Sequence, residues 1–147
     1  MGAIHVYSIH DRDGALLAFD LKDILHALQP MLHRWIWYVD ELETVSTDTT
    51  DDVADGTWLS SSKLLHWAEG LAQTVNGTFI AFPKELAGAT PGSADRGVAD
   101  FPASQAELVI KAVDSSFFDV CAKDAAVAAL LRRCFKDVRE EDSENYF

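Results

Sequence analysis

The sequence predicts an α+β fold: one domain in which a mixed or antiparallel sheet is packed by about three helices, in the order β-α-β-α-β-β-β-α. Three observations predict it. Short runs with two-residue alternation are interleaved with apolar stripes of helical period. The last two strands are joined by a tight turn, so they form a hairpin rather than a crossover. No glycine-rich phosphate loop follows any strand, which removes the doubly wound nucleotide folds.

Ile4 to His10 alternates branched or aromatic residues with polar ones and reads as a strand, ended by Asp11-Arg12-Asp13-Gly14. Asp20 caps a helix whose Leu21, Ile24, Leu25 and Leu28 share one face. Pro30 removes a backbone donor and should stop that helix at Leu28 or Gln29. Arg34 to Leu42 reads as a strand with Trp35, Trp37 and Val39 on one face and Ile36, Tyr38 and Asp40 on the other. Apolar groups on both faces place it inside a covered sheet.

Residues 44–56 have no periodicity and read as an acidic surface loop. A serine among Ser60, Ser61 and Ser62 starts a helix with Leu64, Leu65, Ala68 and Leu71 as its buried stripe. Asn76-Gly77 reads as a turn into a strand from Thr78 to Phe82, which Pro83 ends. A Gly-, Ala- and Pro-rich loop covers about 84–100. Leu108 to Val113 and Phe117 to Ala122 then make a hairpin around Asp114-Ser115-Ser116. Asp124 caps a last helix with Val127, Leu130, Leu131, Cys134, Phe135 and Val138 on one stripe, and residues 139–147 form an acidic tail.

The 147 residues suit a single domain, 1–147, large enough to bury roughly 70% of its unfolded surface without disulfides or metal. There is no transmembrane run of 18 apolar residues, and the first residues lack the basic and apolar regions of a signal peptide. Cys121 and Cys134 therefore read as reduced, packed thiols in a cytoplasmic protein. The net charge of −12 opposes nucleic acid and anionic membrane as partners, since both require Lys and Arg to release counterions. It favours a basic protein, whose encounter opposite charge accelerates.

Candidate chemistry thins out when tested. Ser60-Ser61-Ser62-Lys63 contains Ser-x-x-Lys, but the Ser-Asp-Asn and Lys-Thr-Gly elements of penicillin-recognising enzymes are missing, and a helix cap needs only the hydroxyl. With Gly56 as the sixth position of a calcium loop, Asp51 and Asp55 fit, whereas Val53 and Ser62 stand where ligands belong. The histidines have no zinc spacing. No cofactor and no metal is expected.

The pieces Leu21 to Leu28, Trp37-Tyr38, Phe79 to Pro83, Val113-Asp114-Ser115 and Lys123-Asp124 resemble, in that order, an uncharacterised family of small bacterial proteins with a late VDS…CKD-like hairpin. The cysteine stands one place earlier here, at Cys121, with Ala122 before Lys123. The resemblance implies a single domain and adds nothing about chemistry, since the family has no assigned activity.

Size, acidity and the missing catalytic set point to a nonenzymatic, cytoplasmic protein-binding module, concretely an immunity protein neutralising a basic toxin. Its partner-binding residues would be Asp40, Glu41, Glu43, Asp48, Asp51, Asp52 and Asp55, beside the aromatic strand. The alternative is a small enzyme or ligand-binding protein with a pocket near Tyr38, Asp40, His66 and Cys121. A self-associating structural protein is a third reading.

Overall fold

The computed structural model describes residues 4–10, 19–46, 53–86 and 101–143. Within them run β1 (His5–His10), α1 (Leu21–Ala27), α2 (Gln29–Leu32), β2 (Trp35–Ser46), β3 (Thr57–Ser60) and α3 (Ser61–Glu69). After these come β4 (Leu71–Pro83), β5 (Leu108–Val113), β6 (Phe117–Ala122), α4 (Ala126–Cys134) and β7 (Asp137–Glu141). The strands make one sheet in the order β3-β2-β4-β5-β6-β1-β7, with every neighbouring pair antiparallel.

This overturns the helix-packed α+β layer. The architecture is a single open antiparallel sheet, and the helices are short, four to nine residues each. The strand content was underestimated at three places. β2 runs on through Thr44 and Val45 to Ser46, and Thr57–Ser60 pairs with Ile36–Val39 as β3, so the expected loop 44–56 begins as strand and is followed at once by another strand. Asn76-Gly77 is not a turn; β4 passes straight through it, because β2 and β5 hydrogen-bond it on both sides. The last helix stops at Cys134, Phe135 is extended, and Asp137–Glu141 becomes an edge strand on β1. Cys134 is accordingly exposed rather than on a buried stripe.

Other local expectations hold. Asp20 opens α1, with the Asp23 carboxylate accepting from the Asp20 N–H at 2.8 Å. Asp20 also accepts from the backbone and hydroxyl of Thr74, at 3.0 and 2.8 Å, which ties the helix start to β4. α1 ends at Ala27 as Pro30 requires, but Pro30 then sits in the first turn of α2, where its missing N–H costs nothing. Ser60 caps α3 by accepting from the Lys63 N–H at 3.3 Å. At the β5–β6 hairpin, Asp114 and Ser115 have φ of 50° and 57°, and the Ser116 N–H donates to the Val113 carbonyl at 2.9 Å. Two positive φ values in succession are the signature of a type I′ turn, which matches strand twist.

Two apolar clusters lie on the two faces. Trp35, Trp37, Val39, Phe79, Ile110, Phe118 and Tyr7 join side chains of α1, α3 and α4, among them Ile24, Leu64 and Val127. Val6, Tyr38, Ile80, Phe82, Val109 and Cys121 form the second cluster with Phe101 and Ala106. Alternation along each strand assigns the two sets to opposite sides. No described helix is long and apolar enough to cross a membrane.

Candidate functional site

The acidic residues gather where β2 is irregular. Asp40 pairs with Thr78 and Glu43 with Asn76, so β2 carries one extra residue between them, a β-bulge opposite Gly77. Glu41 takes up the bulge at φ 53°, a conformation that costs a side-chain-bearing residue roughly 1–2 kcal/mol. The strain is held by hydrogen bonds on both sides. The Leu42 N–H donates to the Asp55 carboxylate at 2.9 Å, and the Gly56 N–H to the Val39 carbonyl at 2.7 Å. Gly56 itself sits at φ 83°, where glycine carries no penalty.

The donors that fix these acids are neutral. Glu41 accepts from the Thr78 hydroxyl at 3.1 Å, and Glu43 from the Asn76 amide at 2.8 Å. Asn76 in turn accepts from the Asp114 N–H at 2.9 Å, coupling the bulge to the β5–β6 turn. Asp40, Glu41, Glu43 and Asp55 form no ion pair with another described residue; those of His5, His26, Arg34 and Arg139 lie elsewhere. Their charge is left to act outward. Asp48, Asp51 and Asp52 lie outside the described residues. No three His, Cys, Asp or Glu side chains among the described residues converge to hold a metal ion.

Asp40 also begins a polar row that the sequence did not reveal. Strand pairing aligns Asp40, Thr78, Lys111, Asp119, Ser8 and Arg139 across six strands. Ser8, Thr78 and Asp119 are buried, and the Ser8 hydroxyl donates to Asp119 at 2.6 Å. The serine keeps its proton and directs it at the carboxylate, a bond that satisfies two buried polar groups. The signal in sequence was one polar residue inside each apolar strand, but only the register aligns them.

The alternative pocket is not assembled. Tyr38 and Cys121 belong to the same cluster, yet Ile80 and Val109 separate them in register, three strand spacings or roughly 14 Å. Tyr38 packs edge-on against Trp58, with centroids 5.2 Å apart. His66 is exposed on α3, whose buried residues join the opposite face.

At the far end of β2 lies a cleft of about 410 Å³, lined by residues that include Arg34, Trp35, Glu107, Lys123 and Asp124. Its polar groups are engaged. The Trp35 indole donates to Glu107 at 2.9 Å, Arg34 meets Asp124 at 3.3 Å, and the Lys123 ammonium donates to the Ser104 carbonyl at 2.6 Å.

Compared with protein-family models, curated proteins and solved structures, the chain matches none of them.

Proposed function

We propose that the chain is a nonenzymatic binding module for a basic protein, in its most concrete form a bacterial cytoplasmic immunity protein that blocks a basic toxin. The observation that carries this is the bulged end of β2: Glu41, Glu43 and Asp55 are fixed by neutral donors, and they and Asp40 form no ion pair with another described residue. Charges held in place by uncharged neighbours keep their full field for a partner, and a hydrogen-bonded frame spares the entropy of ordering them on binding. Asp48, Asp51 and Asp52 extend the same acidic run in sequence. The net charge of −12 adds long-range attraction for a basic protein.

The test uses the product of a gene adjacent to this protein's own, chosen for its basic charge, mixed in stopped flow at low and high salt. Association is expected to slow by about tenfold or more as salt screens the encounter. Glu43→Lys combined with Asp40→Lys should slow it at low salt while dissociation changes little, with circular dichroism confirming the fold. A salt-independent rate, or no complex, overturns the proposal.

A further inference from the structure

Four of the twelve basic residues fall between Arg132 and Arg139, at the opposite edge of the sheet from the acidic bulge. The end of α4 and the start of β7 enclose a groove of about 480 Å³, lined among the described residues by Arg132, Arg133, Cys134, Phe135, Lys136 and Val138. We infer that this groove binds a small, multiply charged anion of the phosphate class.

Cations at a helix C-terminus complement the macrodipole, which accounts for Arg132 and Arg133 as structural residues. It does not account for Lys136, which stands beyond the helix end, or for the concavity. Nearby acids do not neutralise the groove. Asp137 is held by Arg139 through two hydrogen bonds, 2.9 and 3.0 Å, which keep its carboxyl below the usual range. Glu140 lies beside Tyr7 and, after burial, helps to raise that phenol's pKa; Arg132 stacks 5.7 Å above the same ring and opposes the shift. Arg132 is therefore partly committed. Arg133 and Lys136 are exposed and make no ion pair with another described residue.

The overall negative charge does not cancel this patch. β2 and β7 are five strand spacings apart, roughly 24 Å, against a screening length of about 8 Å at physiological salt. A guanidinium fork can hold two oxygens of one phosphate, while an ammonium acts as a point charge on another. Half-buried Phe135 and Val138 give the groove an apolar floor for whatever carries the phosphate.

Pyrophosphate is the probe, titrated into the full chain at constant ionic strength and followed by backbone amide NMR. Saturable shifts are expected around residues 132–138. Arg133→Ala combined with Lys136→Ala should weaken binding by at least about tenfold, the loss of two charge-assisted contacts. Both side chains are exposed, so the variant's circular dichroism spectrum should match the parent's. Scattered shifts, unchanged affinity in the variant, or the same shifts with sodium chloride alone would overturn the inference. This site and the acidic end lie on different edges, so either can fail without the other.

Discussion

Trp37 is fully buried, and the only polar atom of its side chain, the indole N–H, donates to the Ser61 hydroxyl at 2.9 Å. The Ser61 hydroxyl in turn donates to the Leu32 carbonyl at 2.7 Å, with the Trp35 carbonyl at 3.2 Å. One hydroxyl thus joins α2, β2 and the start of α3 around a tryptophan that stacks edge-on with Trp35, 5.7 Å between centroids. Ser61→Ala would leave the indole N–H unpaired in a dry site, a cost of about 1–3 kcal/mol. Urea unfolding should show that loss, and Ser61→Thr, which keeps the hydroxyl, should recover most of it. A loss below about 0.5 kcal/mol would mean the indole finds another acceptor. The sequence marks the serine run as a helix start without choosing among its members, and Ser60 is the one that caps α3. The role of Ser61 was hidden, because its partner is 24 residues away and nothing local announces it.

At the scale of elements, legibility followed the range of the signal. The β5–β6 hairpin could be read because turn chemistry and alternation are local properties of Leu108 to Ala122. β3 and β7 could not. Asp137–Glu141 is DVREE, with one apolar residue in five, and no periodicity distinguishes it from a solvated tail. Asn76-Gly77 misled for the opposite reason: its local signal is a turn, and pairing on both sides overrides it. The glycine serves close approach instead. A Cβ on Gly77 would stand 2.8 Å from the Phe79 ring and 3.3 Å from Leu42, just where β2 bulges. Phe79 is fully buried and has little room to yield. Gly77→Ala should therefore cost about 1–3 kcal/mol in thermal unfolding despite alanine's smaller unfolded entropy. Unchanged stability would show that the bulge relaxes to admit the methyl group.

Across the whole molecule, the acidic candidates Asp40, Glu41, Glu43 and Asp55 were legible as composition, but the bulge that fixes them was not, because register is a property of two strands. Long-range pairing also determines how the sheet is completed at its other edge. β1, near the start of the sequence, lies between β6 and β7, and the Ser8–Asp119 bond spans 111 positions. Such non-local pairing is slow to form and leaves strand edges exposed meanwhile. β7 covers the edge that matters most, since β1 contains four consecutive buried residues, Val6 to Ile9, and would otherwise offer an apolar template to another chain. The charges of Asp137, Arg139, Glu140 and Glu141 make β7 a poor template in its turn. Truncation after Lys136 should therefore convert the protein into a self-associating species whose light scattering rises with concentration. Truncation after Glu141, which keeps β7, should scatter like the full chain. Equal scattering from all three would show that β7 is not what guards the β1 edge. Association of both truncated chains to the same extent would place the protection in residues 142–147 instead.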